Sequence, residues 1–137
     1  MTLLTKRLAL ATCLVVVCGC GAKDSRPKLA TVRGKVTLKG QPVALAKVMF
    51  LPVEGGQSSE GETGPSGEYE LYFRENEPGA QIGKHKITIS TFVPTELDDL
   101  GKKVGGRGET IPAQYNTNST LEKEVVAGEN VIDFDLK

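Results

Sequence analysis

The sequence predicts an all-β fold, an antiparallel sandwich of about seven strands. Three observations predict it. Apolar and polar residues alternate with period two through most of the chain after Thr31. Turn signals rich in Gly, Pro and Asn divide those stretches at short intervals. No segment of useful length carries apolar residues at helical spacing. A strand that is apolar on one face only must hide that face against another layer, so two packed sheets are required.

The N-terminus is of a different kind. Lys6 and Arg7 precede an apolar run from Leu8 to Val17, which ends in the small residues Cys18-Gly19-Cys20-Gly21. A basic start, a short apolar run and a small-residue exit are the parts of a secretory signal. The run falls short of the roughly 20 residues that a bilayer-spanning helix needs. Val17-Cys18-Gly19-Cys20 resembles the lipobox of bacterial lipoproteins. That resemblance implies cleavage before Cys20, a thioether-linked diacylglycerol on its thiol and an acylated amine. Several acyl chains anchor a protein stably where one binds only marginally. The competing account is an ordinary signal or an uncleaved N-terminal helix, with Cys20 uninvolved. The expected division is residues 1–19 as signal peptide, 20–29 as a polar lipidated tether and 30–137 as one β-domain. All three cysteines precede residue 21. The domain must therefore fold without a disulfide, although an exported protein could form one.

The strands follow in order. In Thr31–Gly40, Val32, Val36 and Leu38 share one face, while Arg33, Lys35, Thr37 and Lys39 share the other. Lys39-Gly40-Gln41-Pro42 is turn chemistry, and Pro42 cannot donate to a ladder. Ala46–Pro52 is a more continuously apolar strand, which suggests a central position. After the turn Gly64-Pro65-Ser66-Gly67, Tyr69, Leu71 and Phe73 are expected to face inward. The next long strand sets His85, Ile87, Ile89 and Thr91 on one face and Lys84, Lys86, Thr88 and Ser90 on the other. The last segment, Thr120–Lys137, reads as a hairpin turning at Gly128-Glu129, with Val126 opposite Val131. That register puts Glu124 opposite Asp133 and Glu122 opposite Asp135, and like charges directly opposed are destabilising. Between Val93 and Ser119 lies a long irregular connection. Thr95-Glu96-Leu97-Asp98 reads as a helical capping box with Gly101 as its stop, and Lys102–Gly108 reads as flexible. A connection this long in a compact domain is usually functional or disordered.

Composition narrows the function classes. Lys plus Arg and Asp plus Glu each number 17, and loss of Lys6 and Arg7 with a signal leaves the domain slightly acidic. Nucleic-acid binding would want a clearly basic face. The sequence has no Trp and one His.

The order of VRGKVTLKGQPVALAKVMFLP, TGPSGEYEL, GAQIGKHKITIST, IPAQYNTNSTLEKEV and NVIDFDL resembles the transthyretin-like, or carboxypeptidase-regulatory-like, domains. It is similar above all to small bacterial lipoproteins that carry one such domain behind a lipobox. The likeness runs from about Leu29 to Lys137. It implies a seven-stranded prealbumin-like sandwich on the cell envelope, and it speaks for fold more than for chemistry. By analogy with lipoproteins that an Asp after the lipidated cysteine retains at the inner membrane, Gly21 points to the outer membrane or cell surface.

Chemistry-bearing residues are sparse. Hydroxyisourate hydrolases resemble transthyretin but need several histidines, an arginine and a C-terminal Tyr-Arg-Gly-Ser tail. This chain has only His85 and ends in FDLK, so no residue of that site carries over, and His85 reads as a half-buried core-edge residue. No GxSxG elbow is present. Glu122, Glu124, Asp133 and Asp135 together could offer Ca²⁺ its oxygen ligands. The alternative is ion pairing with the basic face of the first strand. An internal Lys–Asn isopeptide would need an inward Lys35, which the register turns outward, and Asn130 reads as a turn residue. Glycan binding calls for aromatic platforms, and only Tyr72 and Tyr115 stand outside the expected core. The expectation is a non-enzymatic, lipid-anchored envelope module that is structural or binds protein. It needs no cofactor or metal beyond the lipid on Cys20, and its partners are the membrane and an envelope protein or glycan. The contact loop is Val93–Ser119, including Lys102, Lys103, Arg107 and Tyr115. The alternative is a carbohydrate-binding-like ligand module.

Overall fold

The computed structural model describes residues 25–137. The segment expected to be a signal, the lipobox-like residues Val17, Cys18, Gly19 and Cys20, and the first part of the expected tether lie outside the described residues. Among the described residues, no helix is long and apolar enough to cross a membrane.

The fold is all-β. Its first half comprises β1 (Leu29–Leu38), β2 (Gln41–Pro42), β3 (Lys47–Pro52), β4 (Ser59–Glu62), β5 (Glu68–Glu70), β6 (Tyr72–Arg74) and β7 (Glu77–Pro78). The second half comprises β8 (Ala80–Gln81), β9 (Gly83–Ser90), β10 (Val93–Leu97), β11 (Lys103–Arg107), β12 (Glu122–Val125), β13 (Glu129–Val131) and β14 (Phe134–Leu136). A 3₁₀ turn at Ala113–Tyr115 precedes β12.

One sheet is built around β1, which pairs with β13 and β14 and also with β2, β5 and β8. The other runs β12-β9-β3-β4-β6-β7. The apolar face expected of each strand is the buried one. Val32 and Val36 of β1, Val48 and Phe50 of β3, and His85, Ile87 and Ile89 of β9 are fully buried, whereas Arg33, Lys35, Lys84 and Lys86 are exposed. The continuously apolar β3 is interior, flanked by β4 and β9. The sheets share one core, with the Phe50 ring of β3 meeting that of Phe134 of β14 edge-on at 6.2 Å. Full burial of a side chain such as Phe50 contributes about 1.5–3 kcal/mol. This is a sandwich-like all-β architecture.

The segment Glu68–Arg74 changes sheets partway along. Glu68–Glu70 pairs with β1, and Tyr72 pairs with Glu60 of β4 in the other sheet. Tyr69, Leu71 and Phe73 all stay buried across the change. Period two therefore survives a switch of partner, with Leu71 donating its N–H to Val32 O at 2.9 Å.

Two expectations are corrected. The C-terminal hairpin does not form. β12 pairs antiparallel with β9, while β13 and β14 cross to the other sheet and run parallel to β1. The physical reason lies in the like-charge pairs of the hairpin register. The observed pairing sets Glu122 opposite Lys86 and Glu124 opposite Lys84, replacing acid–acid neighbours with acid–base ones. Asp133 meets the Lys35 backbone N–H at 2.8 Å, and Asp135 accepts from Thr37 Oγ1 at 3.0 Å.

The second correction concerns Val93–Arg107, which forms neither a helical turn nor an irregular loop. β10 and β11 pair antiparallel, Val93 with Arg107 through to Leu97 with Lys103. Asp98 caps a hairpin turn instead of a helix: its Oδ1 accepts from Leu100 N at 3.0 Å and Lys102 N at 2.8 Å. Gly101 supplies the left-handed φ of +75° that closes the turn.

Candidate functional site

The β10–β11 hairpin is an arm whose strands, among the described residues, pair only with each other. Two side chains clamp its base. Arg107 donates from Nε to Thr91 O and from Nη2 to Leu45 O, both at 2.6 Å. Glu109 accepts from the Ser90 hydroxyl, from Thr91 N at 3.0 Å, from Thr91 Oγ1 at 2.9 Å and from Ile111 N at 2.9 Å. Burial alone would raise the Glu109 pKa. The hydrogen bonds from Ser90, Thr91 and Ile111 outweigh burial and bring it down to about 2. The carboxylate therefore stays ionised well below the usual carboxylate range.

Beyond the clamp, apolar side chains stand in solvent. Phe92, Val93, Leu97 and Val104 are exposed, and Leu100 at the tip is 92% exposed. The arm's charges balance, with Glu96, Asp98 and Asp99 against Lys102, Lys103 and Arg107. Its edges are poor templates for strand addition, because Pro94 lacks a donor and Gly105 and Gly106 have φ of +65° and +87°.

The expected contact residues do not form one cluster. Lys102 and Lys103 lie at the tip end of the arm and are exposed, whereas Arg107 is the clamp at its base. Tyr115 lies off the arm, packed against the core, with its hydroxyl accepting from Lys137 N at 3.1 Å.

The four carboxylates considered for Ca²⁺ are divided between the two sheets, Glu122 and Glu124 on β12 and Asp133 and Asp135 in the C-terminal segment. Glu122 lies 3.7 Å from Lys84 Nζ, and Arg33 pairs with Glu129 at 3.5 Å. Hydrogen bonds from Lys137 and Thr37 lower the Asp135 pKa.

His85 is deeper than a core-edge residue. It is fully buried, its ring 5.7 Å from that of Phe50. Nδ1 lies 3.0 Å from Gly83 O, so that nitrogen carries the proton, and Nε2 has no partner among the described residues. Burial lowers its pKa, against a smaller opposing effect of the Gly83 carbonyl.

A site missed by the strand-by-strand reading lies on the outer side of the sheet switch. A groove of about 830 Å³ runs between Arg33 and Lys35 of β1, Glu68 and Glu70 of β5, and Glu62 of β4, with Tyr72 on its wall. Tyr72 is exposed and its hydroxyl donates to Glu70 Oε2 at 3.2 Å. Val131 and Asp133 also line it. The sequence signal was the alternation itself. Arg33, Lys35, Glu68, Glu70 and Tyr72 are the outward positions of strands whose inward positions were identified, but their convergence depends on the switch at Leu71.

No protein-family model, curated protein or solved structure matches the chain.

Proposed function

We propose that the chain is an exported envelope domain, held to a membrane by lipid on Cys20, that acts without catalysis as a structural or protein-interaction module. Its contact is made through the β10–β11 arm. One observation carries this reading: the exposed apolar residues Phe92, Val93, Leu97, Leu100 and Val104 fall on a single ordered hairpin. Val93 and Leu97 share one face of the hairpin and Val104 lies on the other, and apolar groups exposed together on one projecting element are a surface that a protein partner would cover.

The anchor and the arm fit this role by position. Where the tether joins the domain, Leu29 pairs with Gln81 and Ile82 N donates to Lys28 O at 3.0 Å. The arm leaves from the other end of β9, beyond Ser90. At about 3.3 Å per residue, β9 separates the two by roughly 25 Å. An anchored domain would offer the arm away from its own lipid.

The finer fold reading is a seven-stranded prealbumin-like sandwich, which the resemblance implies. It is supported by counting principal strands as β1, β3, β4, β5 with β6, β9, β12, and β13 with β14. The last two hold one register against β1, Val32 with Asn130 and Val36 with Phe134. The remaining pieces are two-residue bridges and the arm.

The test is in-cell crosslinking of wild type against Leu97→Ser/Leu100→Ser. The account expects a crosslinked protein that the double variant loses while its melting temperature stays unchanged. Retention of the same crosslinked protein would remove the arm from the reading. Mass spectrometry of the mature N-terminus should find Cys20 acylated, and a free thiol there would remove the anchor.

A further inference from the structure

We infer that the groove at the sheet switch is a binding site for a neutral or amine-bearing oligosaccharide, seated on the Tyr72 ring. The site is separate from the arm, so the failure of either reading leaves the other standing.

The fold sets charged side chains opposite one another here without pairing them to each other. Lys35 stands directly opposite Glu68, and Arg33 opposite Glu70, in the β1–β5 register. Opposed residues at such positions are close enough to close ion pairs. The ion pairs among the described residues nevertheless include none of Lys35, Glu62, Glu68 and Glu70. Arg33 reaches sideways to Glu129 instead, at 3.5 Å. Charged groups of both signs thus border one concavity with hydrogen-bonding capacity to spare.

The shape fits a ligand. The groove, of about 830 Å³, is open along the surface and lined mostly by exposed side chains, which leaves room for an extended chain. The wall is aromatic, with Tyr72 41% exposed and its hydroxyl held by Glu70. A held ring loses little freedom on binding, which favours affinity. The floor is fixed by backbone. A Cβ at Gly61 would overlap the Glu70 carbonyl oxygen, so the β4 and β5 chains are in backbone contact where Gly61 lines the groove.

The chemistry selects the ligand class. Vicinal hydroxyls both donate and accept, so they match carboxylates and cations side by side, while the apolar face of a pyranose stacks on an aromatic ring. Acids outnumber bases along the lining, with Glu62, Glu68, Glu70 and Asp133 against Arg33 and Lys35. That excess favours a protonated amine over a carboxylate on the sugar and excludes polyuronates by repulsion.

The experiment is saturation-transfer NMR and calorimetry on the full-length protein in detergent. The probes are cellohexaose, the hexamers of N-acetylglucosamine and of glucosamine, and hexagalacturonate. At least one of the first three should bind with contacts to the Tyr72 ring, and hexagalacturonate should not. Tyr72→Ala and Glu68→Gln, each checked for an unchanged melting temperature, should each weaken binding about tenfold or more, a loss of about 1.4 kcal/mol. If Tyr72→Ala does not fold, the surface variant Glu68→Gln decides alone. Absence of binding by all three favoured probes up to about 1 mM, the weak end of specific affinity, would overturn the proposal. So would binding that ignores both substitutions, or equal binding of hexagalacturonate.

Discussion

Gly34 shows how a single residue sets the packing of a strand. A Cβ at this position would overlap the Ile132 carbonyl oxygen, which Tyr69 Oη also approaches to donate a hydrogen bond at 2.6 Å. The close approach of β1 to the C-terminal chain thus depends on a missing side chain. Gly34→Ala should destabilise the domain by roughly 1–3 kcal/mol, as overpacking does. Thermal melting should report it as a drop of roughly 4–8 °C per kcal/mol. His85 makes a second residue-scale case. Burial lowers its pKa, so the unfolded chain takes up the proton first as pH falls below 6.5. Stability from the neutral ring is present above that pH and is lost as pH drops toward the folded pKa. The His85 ring resonance should accordingly titrate with a midpoint below 6.5, and an NMR midpoint at or above it would contradict the buried, neutral ring. Glu109 acts in a lower window. Its carboxyl sits at about 2 against an ordinary 4.5, so its contribution is full above 4.5 and is lost as pH falls through 2. Because the residue is largely exposed, solvent screening reduces that contribution to about 1 kcal/mol. Glu109→Gln should flatten the acid limb of the melting-temperature profile between those values.

Among the elements, the strand faces were legible in the sequence and the partners were not. Val32 with Val36, Tyr69 with Leu71 and Phe73, and Ile87 with Ile89 could be assigned inward from period two alone, because alternation reports burial of a face. Alternation does not say which strand lies alongside. Thr120–Lys137 carries a hairpin-like pattern, yet its two halves belong to different sheets. The clue was electrostatic, since the hairpin register opposed acid to acid. The crossing is secured by Asn130, whose Oδ1 accepts from Val126 N at 2.9 Å and whose Nδ2 donates to Val126 O at 2.9 Å and Thr31 O at 3.1 Å. An Asn after Gly-Glu reads as a turn residue, and only the folded chain places it against β1. Asn130→Ala should cost roughly 1–3 kcal/mol by removing three hydrogen bonds to partly buried backbone groups, which denaturant unfolding would measure. The arm was misread for a related reason. Asp98 and Gly101 are the same residue types that start and stop a helical turn, and their hydrogen bonds close a hairpin here because Val93–Leu97 finds Lys103–Arg107 as a partner. The groove went unseen because its members lie on three strands and meet only where Leu71 passes from one sheet to the other.

At the scale of the whole molecule, chain entry and arm lie at opposite ends of β9. The N-terminal chain enters beside the start of β9, and the clamped arm leaves from its far end. A lipid-anchored domain arranged in this way would present Leu97 and Leu100 to a protein partner beyond its own membrane. The most direct measurement is photo-crosslinking in intact cells from two positions in turn, 100 at the arm tip and 28 beside the tether. The account predicts a discrete protein adduct from position 100 that Leu97→Ser diminishes, and no such adduct from position 28. Lipid adducts from position 100, or the same protein adduct from position 28 alone, would contradict it.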